Sequence, residues 1–494
     1  RSLQGFLATL VSLEQEGSSY DELCALLLEP LVKCEDYPRS AILSIAQCVS
    51  VLAMNTSEEK RAGTVERFVN DVANAEQHNK VSLQVALFCI GEIGHQTDLS
   101  PHKDLYGVIV GLLQHNIEQI RSASAYALGS VAVGNMSAYL PAILDGLKGD
   151  KSRHYQFLIT LKEAVMRERK GIASFLDQVL DALVENSESS EENVRSIAAE
   201  CLGTLCAADE GIAQRVFQTL AGLTSSKNQN TRWTATSAIR FCSTKNTALV
   251  KAMLAENIHH FLNLLEDDSH EVRKATLLSL NSIVHHHGDI VRPVLDELVP
   301  KLYAQMLPDD SLVREIDLGP FRQKVDDGFP IRKAAFTCME SILDSMIAYV
   351  ELGQFLSYLQ KGLADGGKST TKVHDIKMLC HQILVKMCTT APNVVVKHFA
   401  EFFKAPLEKV ILKRKVKSGE VGTSAERGND VIRSALRCVV AMSKVPGMQG
   451  NDVFQKFIDD VKRKSEQIKG MLLAIQSEGG SAGVALQRQK SNKK

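Results

Sequence analysis

The residues Ile331-Arg332-Lys333-Ala334-Ala335 open an apolar helical stretch, and the same kind of phrase recurs along the chain. The phrase consists of Val or Ile, a basic residue, and then small residues that precede an apolar helix. The basic residue of each copy, weaker copies included, stands at position 39, 80, 121, 153, 195, 232, 273, 332, 377 and 433. A period of about 40 residues is typical of helical-pair solenoids of the HEAT or armadillo type.

The repeat predicts an all-α fold, a HEAT-repeat α-solenoid of about ten to eleven helical pairs. The basic residue near the start of the second helix favours HEAT over armadillo repeats. Small residues such as Ala123, Ala125 and Ala127 allow neighbouring helices to approach within ~8–10 Å. We expect the basic residue to lie in the first turn and to bond an adjacent inter-repeat loop, because it recurs in nearly every unit.

One interval is too long, since Arg273 and Arg332 are 59 residues apart. The surplus coincides with residues 311–329, SLVREIDLGPFRQKVDDGF, where apolar and charged residues alternate on both sides of Gly319-Pro320. Alternation around two turn residues predicts a β-hairpin inserted into the solenoid. A long ordered loop without a role is the alternative interpretation.

A second interval, from Lys377 to Arg433, spans 56 residues. Its surplus falls in residues 409–429, which we predict to begin as the end of a helix and to continue as a mobile basic loop. The basic cluster Lys413-Arg414-Lys415 could contact an acidic partner, and a solvated loop without fixed contacts is the alternative.

Domain boundaries follow from these patterns. The solenoid is predicted over residues 1–475, with helices over 452–475 that close it, and residues 476–494 are predicted to be a disordered tail. The apolar spacing of Leu3, Phe6, Leu7 and Leu10 would leave one helix face open. We therefore expect the chain to be the C-terminal part of a longer solenoid.

The composition limits the classes of partner. The chain has 494 residues, 57 Lys plus Arg and 58 Asp plus Glu, so the formal net charge is −1. This balance argues against nucleic acid or an acidic surface as the main partner, and no apolar run reaches membrane-spanning length. The eleven cysteines include no CxxC pair. We interpret them as small buried hydrophobes in a reducing compartment.

No constellation of residues indicates catalysis. The run His285-His286-His287 is interpreted as a helix end, because adjacent residues on a helix do not share a face. The glycine-rich segment at residues 362–369, GLADGGKS, resembles a phosphate-binding loop, but no predicted strand precedes it, and we interpret it as a turn between helices. No HExxH motif occurs in the sequence. We therefore expect no enzyme activity, no metal and no cofactor, and instead a binding surface on which exposed Leu318 and Phe321 at the hairpin tip form a small anchor.

Several stretches resemble the family of cullin-associated, neddylation-dissociated proteins. They are EIDLGPF, VDDG and IRKAAF within residues 315–336, SAYALGSVAVGN at 124–135, VRSIAAECLG at 194–203 and HDIKMLCH at 374–381. The resemblance covers most of the chain and corresponds to the C-terminal part of that long HEAT protein. It implies a cytoplasmic and nuclear, non-enzymatic partner of cullin–RING ubiquitin ligases.

The resemblance also implies a site and a mechanism. The hairpin would occupy the adaptor site on the cullin N-terminal domain, compete with substrate adaptors and so promote exchange of substrate receptors. A separate N-terminal half of the same protein is a second expected partner, and an importin-like nuclear transport carrier is the alternative function. The partner-binding residues implied are Glu315, Ile316, Asp317, Leu318, Gly319, Pro320, Phe321, Arg322, Lys324, Val325, Asp326 and Asp327.

Overall fold

A computed structural model of the chain describes residues 18–32, 36–149, 153–317, 319, 322–365, 374–413 and 423–477. Several predictions therefore concern residues outside the described part of the chain. These are the open apolar face at residues 3–10, the hairpin-tip residues Leu318, Pro320 and Phe321, and most of the predicted tail. The chain divides into two compact units, Arg1–Asn257 and Ile258–Lys494.

Helices dominate both units. The helices that lie in the first unit or begin there are α1 (Ser18–Val32), α2 (Arg39–Met54), α3 (Glu58–Ala73), α4 (Lys80–Gly94), α5 (Leu105–Leu112), α6 (Glu118–Gly134), α7 (Met136–Gly146), α8 (His154–Arg167), α9 (Leu176–Ser187), α10 (Glu192–Leu205), α11 (Glu210–Thr224), α12 (Gln229–Ser243) and α13 (Ala248–Leu262). The second unit continues with α14 (His270–Val291), α15 (Leu295–Gln305), β1 (Val313–Asp317), β2 (Arg322–Asp326), α16 (Phe329–Met346), α17 (Leu352–Ala364), α18 (His374–Thr390), α19 (Pro392–His398), α20 (Lys404–Ile411), α21 (Thr423–Ser443), α22 (Asp452–Arg463) and α23 (466–477).

Successive helices form pairs, and the second helices of neighbouring pairs pack on one another. In the first unit this inner stack contains α2, α4, α6, α8, α10 and α12, and in the second unit it contains α14, α16, α18 and α21. Helix α4 is buried at Val81 and at every position from Leu83 to Gly94, because it packs between α2 and α6. The all-α solenoid with one inserted hairpin, predicted from the period of the sequence, is confirmed.

The recurrent basic residue lies at or just before the start of these second helices, except that Arg433 lies in the middle of α21. Arg195 Nη1 donates to the carbonyl oxygens of Ser189 at 2.8 Å and Ser190 at 3.0 Å. Arg121 and Arg232 donate in the same way to the carbonyls six and five residues before them. These carbonyls belong to the loop inside the same helical pair. The predicted role as a loop-bonding residue is thus correct, but the predicted inter-repeat loop is wrong.

The second helices also carry most of the cysteines. All ten cysteines in the described ranges are buried and unpaired, including Cys89 and Cys438 with no exposed surface. Burial raises the pKa of Cys338 to about 12. Within those same ranges, none of the helices combines the length and apolar character needed to cross a bilayer.

The structure corrects the bounds of the predicted basic loop. Residues 409–411 end α20, and residues 423–429 form the first turns of α21. The helix end at the start of the stretch agrees with the prediction, whereas the predicted loop extends too far at its C-terminal end. Residues 414–422 lie outside the described part. The predicted closing segment, 452–475, contains two helices, α22 and α23.

Candidate functional site

The predicted hairpin is present in the second unit. Strands β1 and β2 pair antiparallel, with Glu315 opposite Lys324 and Asp317 opposite Arg322. Asp317 and Arg322 form the last described pair, a register that agrees with a turn centred on Gly319-Pro320. Residues 318, 320 and 321 lie outside the described part, so the length of the turn stays a prediction. Gly319 has a φ of +82°, a conformation that strongly favours glycine, and its N–H donates to Asp317 Oδ1 at 2.9 Å.

The two faces of the hairpin differ in chemistry. One face carries residues that are mostly half-buried, namely Arg314, Ile316, Gln323 and Val325. The other face presents exposed charges of both signs, namely Glu315, Asp317, Arg322 and Lys324. Opposite charges directly across an antiparallel pair stabilise the pairing, each by ~0.2–1 kcal/mol. The exposed face is therefore a charged ladder that supports the hairpin and is accessible to a partner.

Further bonds close the base of the hairpin below the strands. The Asp327 N–H donates to the Leu312 carbonyl at 2.9 Å, and Arg314 Nε lies 2.6 Å from Asp327 Oδ2. This hydrogen bond raises the pKa of the Arg314 guanidinium. In the segment before β1, the Ser311 hydroxyl donates to Asp309 and lowers the pKa of that carboxyl group.

The strongest contact of the base is a buried ion pair between β2 and α16. Arg332 Nη2 lies 2.7 Å from Asp326 Oδ2, and Nη1 lies 3.2 Å from Oδ1, which makes the pair bidentate. The two side chains are only 3% and 5% exposed. Arg332 Nε also lies 3.5 Å from Asp365 Oδ2, just beyond the end of α17. One guanidinium thus contacts two carboxylates from separate elements.

Two depressions lie on the surface of α16, α18 and α21, and one of them includes Phe329 and Pro330 at the start of α16 in its lining. They have volumes of about 740 and 490 Å³ and share Lys333, Asp375 and Met378 in their lining. Lys333 Nζ forms an ion pair with Asp375 Oδ2 at 3.0 Å, and Met378 is 37% exposed. We call this surface the inner groove. It offers apolar area and charges of both signs.

The structure describes most of the predicted site residues but leaves out the tip. Four of them lie together on the exposed face, namely Glu315, Asp317, Arg322 and Lys324. The Asp326 side chain is buried and forms the ion pair with Arg332 at the base of the hairpin. Leu318, Pro320 and Phe321 lie outside the described part, so the predicted apolar anchor stays a prediction.

Sequence reasoning missed the special role of Arg332. An acidic residue six positions earlier is not a sufficient signal, because Asp267 precedes Arg273 by the same distance and is bound through its backbone carbonyl. Across the described ranges, no cluster of His, Cys, Asp or Glu has the arrangement needed to hold a metal ion.

A solved structure of Kap95p, described for its binding to RanGDP in nuclear import, has the same fold. It superposes with a TM-score of 0.58 at 12% sequence identity and covers 96% of this chain and 59% of that chain. At that level of identity the similarity concerns the fold alone.

Two family models match adjoining parts of the chain. The model described as HEAT repeats of a stalled ribosome sensor GCN1-like protein matches residues 164–290. The model described as TATA-binding protein interacting (TIP20) matches residues 290–462, a range that includes the hairpin.

Relatives from distant organisms cover most of the chain. A cullin-associated NEDD8-dissociated protein 1 from Dictyostelium discoideum is 33% identical over 94% of this chain, and one from Arabidopsis thaliana is 33% identical over 88%. A protein from Emericella nidulans named as the C-terminal part of cullin-associated NEDD8-dissociated protein 1 is 28% identical over 77%. The chain spans 35–37% of the length of these three relatives. It belongs to the family of cullin-associated NEDD8-dissociated proteins.

Proposed function

We propose that this chain binds the cullin scaffold of cullin–RING ubiquitin ligases and carries out no reaction itself. Residues 315–327 of the hairpin compete with substrate adaptors for one cullin surface, and this competition promotes the exchange of substrate receptors. The names of the relatives support the cullin as partner. The observation that carries the hairpin role is an exposed charged ladder on a base that a buried ion pair fixes to the helices.

Competition has an energetic requirement. The hairpin and the adaptor must each weaken the binding of the other, through a reciprocal coupling of ~1–3 kcal/mol or more. A short, rigid element suits this role, because little conformational entropy is lost when it binds. The hairpin needs to overlap only the edge of the adaptor site to destabilise the complex that contains both.

The hairpin alone is too small for a stable complex. Specific interfaces bury ~800 Å² per partner, more than two five-residue strands can offer. The inner groove begins at the helix that follows the hairpin and presents Met378 together with the Lys333–Asp375 pair. We assign the affinity for the cullin mainly to the helical surface and the displacement of the adaptor mainly to the hairpin.

The test separates these two contributions. In a variant of the full chain, a Gly/Ser linker replaces residues 315–325 and keeps Asp326 for its pair with Arg332. The variant is mixed with unmodified cullin that carries a fluorescent adaptor. We expect the variant to bind cullin but to displace the adaptor at least about tenfold more slowly. The control is Glu58→Lys, an exposed charge reversal in the first unit, which should behave as wild type. Unchanged displacement by the linker variant would refute the hairpin role.

A separate N-terminal half is the second partner in this proposal. The relative named as a C-terminal part supports it, since that name describes a chain that corresponds to one portion of a longer protein. Co-elution of this chain, an N-terminal half of a relative and unmodified cullin in one peak on a sizing column is the expected result. Separate elution of the two halves in the presence of cullin would contradict it.

A further inference from the structure

Arg332 differs from the other recurrent arginines in what its guanidinium binds. The guanidinium groups of Arg121, Arg195 and Arg232 each donate to two backbone carbonyls of a short loop, six and five residues earlier in the chain. The residue six positions before Arg332 is Asp326, and here the partner is the carboxylate of its side chain. The hairpin is thus inserted into the loop between the two helices of a pair. The recurrent arginine of that pair still holds the loop, but its acceptor is a carboxylate and not a backbone carbonyl.

A carboxylate acceptor makes the contact with the arginine much stronger than a backbone carbonyl does. Charge-assisted, bidentate pairs between Arg and a carboxylate fix both distance and orientation, because the planar fork of the guanidinium matches the two oxygens. Both side chains are almost completely buried. Removing one partner from such a pair leaves an uncompensated buried charge. The last residue of β2 is therefore held at a defined angle to the first turn of α16.

Asp365 extends this link to the next helical pair. It follows directly after α17, its side chain is 10% exposed, and its Oδ2 lies 3.5 Å from Arg332 Nε. Helix α17 is the first helix of the pair whose second helix, α18, carries Asp375 and Met378 of the inner groove. The guanidinium of Arg332 thus connects the hairpin with the helices that form the groove.

The segment that leads into β1 is held more loosely than the end of β2. Arg273 Nη2 lies 4.0 Å from Asp309 Oδ2, and the Asp309 side chain is 48% exposed. An exposed pair at this distance contributes little to stability. The buried pair of Asp326 and Arg332 at the end of β2 therefore determines the direction in which the hairpin extends.

We propose that Arg332 is a positioning residue, which orients the hairpin through Asp326 and ties this orientation to the groove-bearing helices through Asp365. The hairpin and the inner groove then form one rigid face, so that a partner bound in the groove meets the hairpin at a fixed angle. This inference rests on the proposed function, since it explains how adaptor displacement and cullin binding are coupled in one chain.

The test compares Arg332→Lys with a matched control, Arg195→Lys. Lysine keeps the charge in both variants but loses the bidentate fork. The control removes the same kind of anchor from a repeat without an insertion. Asp365→Asn is a second, milder variant that leaves the pair with Asp326 intact and guards against a folding defect in Arg332→Lys.

Two measurements are made on each variant of the full chain. Hydrogen exchange of the β1 and β2 amides reports on the fixation of the hairpin, and the assay with cullin and labelled adaptor reports binding and displacement separately. We expect Arg332→Lys to accelerate exchange in both strands and to slow displacement by about tenfold or more, as a broken buried pair implies. Cullin affinity should change less than about threefold, and Asp365→Asn should have a smaller effect in the same direction. Arg195→Lys should leave hairpin exchange and displacement unchanged.

The outcomes distinguish the inference from the function on which it rests. If the linker variant of residues 315–325 displaces adaptor as well as wild type, the proposed function is wrong. If that variant fails to displace adaptor while Arg332→Lys behaves like Arg195→Lys in both measurements, the hairpin acts but Arg332 does not position it. Equal losses of binding and displacement in Arg332→Lys would indicate a general structural role and would also overturn the inference.

Discussion

Gly129 of α6 lies directly against the backbone of Thr160 in α8: a Cβ atom on residue 129 would stand 2.4 Å from the Thr160 carbonyl oxygen. It would also stand 2.7 Å from the Cβ atom of Glu163. Contacts between Cβ atoms and backbone do not occur at such distances, so the two second helices could not keep their spacing. The absence of a side chain at this position sets how closely two neighbouring pairs stack.

We therefore expect Gly129→Ala to destabilise the first unit by ~1–3 kcal/mol, the usual cost of overpacking. Gly63 is the matched control, because it is exposed in the middle of α3 and a Cβ atom there would have no neighbour within 4 Å. Gly63→Ala should stabilise by ~0.5–1 kcal/mol through helix propensity alone. Urea unfolding followed by circular dichroism measures both. Equal effects of the two substitutions would show that the Gly129 contact is unimportant.

The regular part of the fold was predictable because it repeats. A period of about 40 residues together with a basic residue before small residues specifies helical pairs, whatever their partners. The hairpin was predictable from alternation between Val313 and Asp326, since strand spacing differs from helix spacing. Pro330 lies in the first turn of α16, a position that proline favours because its missing N–H is not needed there.

The rest depends on contacts that local sequence does not encode. Alternation alone fits more than one strand register, so the pairing of Asp317 with Arg322 is known only from the structure. The ion pair between Arg332 and Asp365 joins residues of two successive helical pairs, and neither residue alone indicates it. The sequence predicts a loop up to residue 429, whereas α21 begins at Thr423. A basic, Gly- and Ser-containing segment resembles a loop even where it continues into a helix.

The burial of the cysteines predicts a low thiol reactivity. The ten cysteines in the described part of the chain are buried, and burial raises the pKa of several of them, for example Cys338 and Cys388 to about 12. A buried thiol with a raised pKa contains almost no thiolate at neutral pH. We expect no more than one of the eleven cysteines to react with a thiol reagent at pH 7.5, since Cys34 lies outside the described residues. Denaturant should expose all eleven, and rapid reaction of several in the native chain would contradict the structure.

His381 predicts how stability depends on pH. The residue is 1% exposed, neither ring nitrogen has a hydrogen-bond partner, and burial lowers its pKa to about 3. Between pH 6.5 and about 3, the unfolded chain therefore binds a proton at this imidazole that the native chain does not bind. Protons thus favour the unfolded state, and the stability from this group falls as the pH falls, by up to ~1.4 kcal/mol per pH unit.

The variant His381→Leu tests this dependence. It removes two unsatisfied nitrogens, so we expect it to be as stable as wild type at pH 7.5. From pH 7.5 to 5.5, wild type should lose ~1.4 kcal/mol more than the variant. The control is His260→Leu, because His260 is exposed on α13 and its replacement should leave the pH dependence unchanged. Parallel pH profiles of wild type and His381→Leu would disprove the assignment.

The charged ladder of the hairpin allows stability and recognition to be separated. Glu315 and Lys324 face each other across the strands, both exposed. Each single reversal, Glu315→Lys or Lys324→Glu, places like charges opposite each other and should weaken the hairpin by ~0.2–1 kcal/mol. The double reversal restores opposite charges, so hydrogen exchange in β1 and β2 should return to the wild-type rate. A partner, however, meets the inverted pattern, because the two charges have exchanged places.

We expect the double variant to be fully ordered and yet to displace adaptor about tenfold more slowly than wild type, since like charges placed against a partner's charges disfavour the complex. The measurement combines hydrogen exchange with the displacement assay at two salt concentrations. Higher salt should reduce the defect, because exposed charges are screened beyond ~8–10 Å. If the double reversal displaced adaptor as fast as wild type, the ladder would serve the hairpin alone, and the surface that recognises the cullin would have to lie elsewhere on the second unit.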